Sequence, residues 1–597
     1  MGALTCEQFK RFCLYCDKVL IAHGKLIKIY LEKLMDKTSF PKRQKVTFLT
    51  KNALWANFDL SKTLQPSKIK EVKYDKISYT EYFFSGRDVG GERVRIYGIY
   101  ATPLEQKSYN AILYLPDVTE SPDFDMIIEY AKMGYAVLAV DLCGKSPTSK
   151  YCTTYPQSVS YANYYNRGRR MDFVDDDAYK TCWYEWVAIG RYAISFLQSQ
   201  PHVKNVGVIG ARYGANVAWQ LSAIDDRIKC SVMMFGAGWH AYKNHFKYDD
   251  SSKELVFDEE RRRFVAAIDA HAYAQDAKCP ILYLSSTNNE DFDFDRSFDT
   301  MLRVPKETDC FFNYATGYNE YLDNYCKKDV DLFLKKYLSG KEVYFPKRPT
   351  LDVEQDGRYL NITIHPDRED DVLECKVFLN EGVVDPALRN WMPCELVGDE
   401  GFDFEYVLSG ATSKVFVFTT VRYKSGVTVA SKLTCKQTTQ TQSKRSGVIY
   451  TSKDGLEGIT FYDKNSTRES YFVGTDQFIQ LVKGAGDIYG AYSACGLISY
   501  RLGEPSCHID RNSIISMDVF TSEFCVLRLV LMQKFASGTV EYSFTTEFKA
   551  NVAWKSLTVG VDVFKTEDGR SVKDFDGVYA LRIEGEGKYA VNNILLI

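Results

Sequence analysis

The stretch that decides the fold is Val206-Gly207-Val208-Ile209-Gly210-Ala211-Arg212-Tyr213-Gly214-Ala215-Asn216-Val217-Ala218-Trp219-Gln220-Leu221. Val206–Ile209 reads as a short buried strand, and Ala215–Ala223 reads as a helix. Between them lies Gly210-Ala211-Arg212-Tyr213-Gly214. Two glycines in this spacing permit a sharp, strained turn that lifts the middle residue to the top of a sheet. The pattern has the form G-x-S-x-G, with Arg212 where a nucleophilic serine would stand. The helix N-terminus behind the turn offers backbone amides to an anion. A guanidinium stays protonated and has no usable lone pair, so Arg212 cannot be a nucleophile. Two roles remain open for it: pairing with a local acid and filling the pocket, or binding a carboxylate or phosphate.

Working outward, apolar strands alternate with helical stretches from about residue 75 to 340. Strands are expected at Ala111–Leu115, Tyr135–Val140, Val206–Ile209, Cys230–Phe235, Ile281–Leu284 and Phe311–Tyr314. Helices are expected at Phe124–Met133, Trp183–Leu197, Ala215–Ala223, Arg261–Tyr273 and Tyr321–Tyr337. This alternation implies a mostly parallel sheet with helices on both faces. Pro346 and Pro349 then punctuate a linker. Short alternating strands follow: Tyr359–Ile364, Leu373–Leu379, Phe402–Val407, Val415–Val421 and Thr428–Leu433. They imply a small β-sandwich of immunoglobulin size. A polar tract, KQTTQTQSKRSG, makes a second linker, and the remainder is again all β, of a size that suits a jelly roll. The expected organisation is an N-terminal helical segment (1–70) packing on an α/β domain (71–345), an immunoglobulin-like sandwich (346–438) and a jelly-roll sandwich (439–597).

The span from about 90 to 340 resembles the acetylxylan esterase and dienelactone hydrolase branch of the α/β-hydrolases. The resemblance rests on RVRIYGIYATP, AILYLPD, GYAVLAVDLCGK, VGVIGARYGANVAW and CPILYLSSTNN. It implies an α/β-hydrolase fold in which a glycine-flanked serine attacks an ester while an acid orients a histidine. Acetylated sugars are common substrates of that branch. In this chain the acid position, after CPILYLSS, falls on Asn289, with Glu290 and Asp291 adjacent. The histidine position, after FFNYA, falls on Tyr318 or Asn319. No histidine occurs between His271 and His365, so a shift of a residue or two does not restore a base. The triad positions therefore carry Arg212, Asn289 and Tyr318 or Asn319.

Other groups near the expected site are Tyr213, His240 and His245 at the rim, and Cys143 after YAVLAV. Asp291, Asp293 and Asp295 alternate with phenylalanines and read as a solvated loop. The C-terminal region, with AWKSLTVGVDVF, DGRSVKDFDGV and YAVNNILLI, resembles carbohydrate-binding jelly rolls, which stack sugar rings on exposed aromatics. Tyr462, Tyr471, Phe472, Tyr489 and Tyr492 are the local aromatics.

Across 597 residues the net charge is −3 and no basic field is concentrated, which speaks against nucleic-acid binding. Sixteen cysteines without repeating spacing read as free thiols, the Cys13–Cys16 pair included. Residues 7–36 read as one amphipathic helix rather than a signal peptide or membrane span, so a cytoplasmic location is expected. No metal or cofactor is expected. Three functions are compatible with these residues. The first is a hydrolase-fold pseudoenzyme that binds a glycan or acidic ligand through Arg212, Tyr213, Glu290, Asp291, Asn319 and His240. The second is a hydrolase with non-standard catalytic residues. The third is a protein-interaction scaffold.

Overall fold

Six apolar runs become the parallel half of a nine-stranded sheet. The computed structural model describes residues 47, 49–104, 108–122, 124–145, 150–166, 171–250, 255–440, 447–463, 470–474 and 478–597. The expected helix at 7–36 and the Cys13–Cys16 pair lie outside them. Among the described residues, the strands are β1 (Ser67–Tyr74), β2 (Ile77–Val89), β3 (Glu92–Pro103), β4 (Tyr109–Leu115), β5 (Ala136–Val140), β6 (Val203–Ala211), β7 (Ile228–Met234), β8 (Ile281–Ser286) and β9 (Cys310–Ala315). Their order is β1-β2-β3-β5-β4-β6-β7-β8-β9. β4 to β9 run parallel, and β1 to β3 add an antiparallel edge. Every residue of β5 and β8 is buried, as expected for strands covered on both faces.

The sheet order β5-β4-β6 places a topological switch between β4 and β6, where open α/β sheets hold ligands at the carboxyl ends of strands. The covering helices are α1 (Lys51–Trp55), α2 (Phe124–Lys132), α3 (Cys182–Ser199), α4 (Tyr213–Ile224), α5 (Glu259–Ala267), α6 (Ala270–Tyr273), α7 (Phe294–Met301) and α8 (Asn324–Phe333). α2 and α8 pack on one face of the sheet, and α3, α4 and α5 on the other. α1 docks through Trp55, whose indole donates to Tyr273 Oη at 3.0 Å. No helix among the described residues is long and apolar enough to cross a membrane.

Three expectations are corrected. Arg261–Tyr273 is not one helix. α5 ends at Ala267, and α6 starts after Asp269, whose carboxylate accepts the Trp239 N–H at 3.0 Å. The last helix starts at Asn324, not Tyr321. Leu322 instead makes a parallel bridge to Phe472, donating to Tyr471 O at 2.8 Å and accepting from Val473 N at 2.9 Å. The run Asp291-Asp293-Asp295 is not a solvated loop; it leads into α7. Asp293 caps that helix by accepting from Arg296 N, and Asp295 takes a bidentate pair from Arg389 at 2.5 and 2.7 Å. The phenylalanines between them, Phe292 and Phe294, are buried.

Residues 350–437 form two antiparallel sheets of four and five strands that share one core. Residues 448–596 form two more, of six and five strands, whose inner faces also merge into one core. The two expected all-β sandwiches are therefore present. The polar tract is not all linker, because Lys436 and Gln437 belong to a strand (Thr434–Gln437) paired with Lys414–Val417. The first sandwich is clamped to the α/β domain by Arg389–Asp295. The second is clamped by the Leu322–Phe472 bridge and by Tyr321 Oη donating to Asp463 at 2.7 Å.

Candidate functional site: an arginine held at the elbow

β6 leads into α4 through a turn in which Arg212 has φ 53° and ψ −116°. A non-glycine residue in that region is strained and persists only where the surroundings over-determine it. They do so here through contact. A Cβ on Gly210 would lie 2.5 Å from Gly214 O, and one on Gly214 would run into the carbonyl oxygens of Leu115 and Pro116. The glycines serve to bring helix and strand together, and the nucleophile turn keeps its shape without a nucleophile.

The Arg212 side chain is 10% exposed and meets three carboxylates. Its Nε donates to Asp117 Oδ2 at 3.0 Å, Nη2 to Asp291 Oδ2 at 2.5 Å, and Nη1 to Glu320 Oε1 at 3.3 Å. Phe292 lies under the guanidinium, 5.5 Å from its centre. Burial works against the cation, but Asp117, Asp291 and Glu320 outweigh it and hold Arg212 firmly charged. Burial raises Asp117 above the usual carboxylate range despite Arg212. Burial also opposes ionisation of Asp291, yet Arg212 and Lys243 bring it below that range.

Asn289 is a turn organiser. Its Oδ1 accepts from the backbone of Asp291 (3.0 Å) and Phe292 (3.2 Å), and its Nδ2 donates to Asn319 O at 2.8 Å. Asn319 in turn accepts from Glu290 N at 3.3 Å. Of the two residues considered for the histidine position, Asn319 is therefore the one beside the acid position. Tyr318 is turned away, packing on Phe461. His240 packs against both Trp183 and Tyr213, and the Asn216 amide donates to its Nε2 at 3.0 Å. Burial lowers its affinity for a proton and Asn216 occupies its lone pair, so it is not a free base. The Cys143 thiol is pushed up to about 12 by burial, which leaves little thiolate.

A cavity of about 280 Å³ opens beside the elbow. Tyr213, His240, Asn289, Glu290 and Asp291 line it, with Asp385 and Lys534 contributed by the two sandwiches. Most of the candidate residues therefore meet in one place, and Arg212 is joined to it through Asp291. Asp117 and Glu320 escaped the sequence reading. Asp117 carried a weak signal, as the acid two residues beyond an apolar strand. Asp385 and Lys534 carried none, since only tertiary packing brings them here. Of the C-terminal aromatics, Tyr471 and Phe472 are buried, Tyr471 against Phe235 with its hydroxyl on Glu120, while Tyr489 is exposed.

The sheet order, the switch point and the strained glycine-flanked elbow define an α/β-hydrolase domain. Residues 96–309 match the family described as Dienelactone hydrolase family, which gives this segment hydrolase ancestry. No curated protein sequence matches the chain. Among solved structures it is similar to an acetyl xylan esterase from Paenibacillus sp. R4 (17% identity, 48% of this chain and 92% of that one, TM-score 0.37). It is also similar to acetyl xylan esterase 1 from Thermoanaerobacterium sp. JW/SL YS485 (17%, 49% and 92%, 0.37). A third is Est1E from Butyrivibrio proteoclasticus with ferulic acid (12%, 42% and 98%, 0.30).

Proposed function

We propose that the α/β-hydrolase domain is a pseudoenzyme that binds a carbohydrate at the elbow cavity without hydrolysing esters. The observation that carries this is the Arg212 cluster. A buried cation saturated by three carboxyl groups sits where a serine would attack, and Asp117 places one of them beside the site where an oxyanion would form. The same cluster argues against the acidic ligand considered from the sequence, because Arg212 has no unmet demand for an anion. The cavity wall adds Asp172, Glu290, Asp291, Asp293 and Asp385 against Lys243 and Lys534. A neutral or basic sugar suits that balance. Tyr213, Trp239 and Tyr242 supply apolar ring surface.

Hydrolysis of p-nitrophenyl acetate and acetylated xylo-oligosaccharide, with calorimetric titration of xylo-oligosaccharide, tests the reading. The expected result is no turnover above buffer and measurable binding, weaker for galacturonate. Turnover well above buffer would overturn it. One observation favours active chemistry as the alternative: burial raises Glu290 while Arg212 lowers its neighbour Asp291, a split suited to acid and base roles. Turnover that disappears in both Glu290→Gln and Asp291→Asn would establish that alternative.

A further inference from the structure

The elbow cavity carries charges that its own wall does not use. Of the acids and lysines that line it, Asp172 pairs with Arg261 at 2.9 Å and Asp293 with Arg296 at 3.2 Å. Asp291 takes both Arg212, at 2.5 Å, and Lys243, at 3.5 Å. Three charges remain. Among the described residues, the Glu290 carboxylate and the Lys534 ammonium make no hydrogen bond or ion pair, and the Asp385 carboxylate accepts only the Ala387 N–H at 3.1 Å. Glu290 and Lys534 are exposed and Asp385 is half-buried, so each can meet a ligand.

Each of the three comes from a different domain. Glu290 stands in the loop after β8, Asp385 caps a short turn of the first sandwich (Pro386–Leu388), and Lys534 lies in a strand of the second (Cys525–Phe535). They act on one another across the cavity. Burial raises both carboxyls above the usual range, Lys534 draws each back, and Asp385 raises Glu290 further. Two acids that repel each other and share one lysine leave one negative charge uncompensated.

That balance calls for a cation with hydrogen-bond donors, because ionised carboxylates only accept. A bare metal ion is the poorer fit. No group of three or more His, Cys, Asp or Glu side chains among the described residues could hold one. At about 280 Å³ the cavity is at the small end of ligand pockets, with room inside for one ring rather than a chain. We infer that Glu290 and Asp385 form an ammonium subsite in the elbow cavity, and that the sugar held there is an amino sugar. Its protonated amine lies on the two carboxylates, and Lys534, exposed and without a partner, moves aside into solvent. The inference rests on the reading of this cavity as a carbohydrate site, and it makes the first sandwich a part of that site.

The test is calorimetric titration of the full chain with glucosamine, N-acetylglucosamine, methyl β-D-glucopyranoside and xylo-oligosaccharide. Glucosamine is expected to bind 1:1 and about tenfold or more tighter than either neutral glucose derivative, since it alone brings a charged donor. Glu290→Gln and Asp385→Asn keep the side-chain size, and Asp385→Asn keeps an oxygen for Ala387 N–H. Each is expected to melt close to wild type and to cut the preference for glucosamine about threefold to tenfold, and the double variant to abolish it. Lys534→Met removes a competing cation and is expected to tighten glucosamine binding about threefold. Glucosamine no tighter than the neutral sugars, with xylo-oligosaccharide still bound, would overturn the inference and leave the carbohydrate reading standing. No binding by any of the four would overturn both. A preference that survives in the double variant would place the cation elsewhere, and weaker glucosamine binding in Lys534→Met would put the lysine rather than the acids on the ligand; either overturns the inference.

Discussion

Arg212→Ala is the perturbation on which the reading of the elbow depends most directly. The substitution deletes the one cation shared by Asp117, Asp291 and Glu320. The cost is not uniform over the three acids. The side chains of Asp291 and Glu320 retain 34% and 30% exposure and can rehydrate, so their loss of Coulomb energy is small after solvent screening. Asp117 is 1% exposed and has no such escape. Its Oδ1 already lacks a partner, and after the substitution only the Thr119 hydroxyl remains on Oδ2. Removing one member of a buried ion pair costs roughly 3–5 kcal/mol, and with two of three acids able to rehydrate the lower end applies, about 3 kcal/mol. For a domain of this size roughly 2 °C is lost per kcal/mol, so the hydrolase-domain melting transition is expected about 6 °C lower. The melt should be followed by near-ultraviolet circular dichroism, because three domains preclude a single two-state analysis. Asp117→Asn placed on top of Arg212→Ala removes the stranded charge and should recover roughly half of the loss. A single variant that melts within about 1 °C of wild type would refute the reasoning, as would a double variant no more stable than the single one.

Gly214→Ala drives a methyl group into the backbone oxygens of Leu115 and Pro116, which cannot swing aside, and should destabilise by about 3 kcal/mol or more; a melt at or near the wild-type temperature would show that the elbow relaxes. Arg389→Met strands the fully buried Asp295 and should cost roughly 3–5 kcal/mol, read as faster limited proteolysis between the α/β domain and the first sandwich; Arg389→Met/Asp295→Asn should be slower to cleave than the single variant. Asp291 lies below the ordinary carboxylate range, so its pairing contributes stability that is complete above its unfolded pKa of about 3.9 and is lost as pH falls through the lower folded value. The melting-temperature gap between wild type and Asp291→Asn should therefore narrow as pH drops from about 5 to 3, and a constant gap would contradict the assigned direction.

The parallel strands could be read from the sequence because a strand buried on both faces is a continuous apolar run, as AILYL, AVLAV and ILYLSS are. The elbow could be read because its glycines answer a steric demand local to nine residues. The breaks could not. Asp269 interrupts a helical pattern to hold Trp239 N–H, and Tyr321–Leu322 leave theirs to bridge Phe472, some 150 residues away. Composition near the break announces neither partner. The aspartate run misled for the same reason. Alternation of charge and phenylalanine looks like a solvated loop until Arg212, the α7 N-terminus and Arg389 are known to stand opposite its three carboxylates. Asn289, Asn319, Glu290 and Asp291 could be placed near Arg212 from the expected fold, but which of Tyr318 and Asn319 stays there was decided by packing on Phe461.

The partners of Arg212 come from three loops that have chemical roles in an active α/β-hydrolase. Asp117 follows β4, where an oxyanion-hole amide belongs. Asp291 follows β8, in the loop of the acid, and Glu320 follows β9, in the loop of the histidine. The geometry that converges three functions on an ester here converges three carboxylates on one guanidinium. Restoring the triad alone should therefore fail. With Arg212→Ser, Asn289→Asp and Asn319→His together, a nucleophile, an acid and a base stand near one another, yet Asp117 remains beside the developing oxyanion. Once ionised, at roughly 5 Å and an effective dielectric near 20, Asp117 repels the oxyanion by about 3 kcal/mol, or roughly a hundredfold in rate, and because burial raises Asp117 the comparison is made at alkaline pH. Adding Asp117→Asn should lift p-nitrophenyl acetate turnover by about that factor over the triple variant. Equal turnover in the triple and quadruple variants would show that Asp117 does not face the oxyanion.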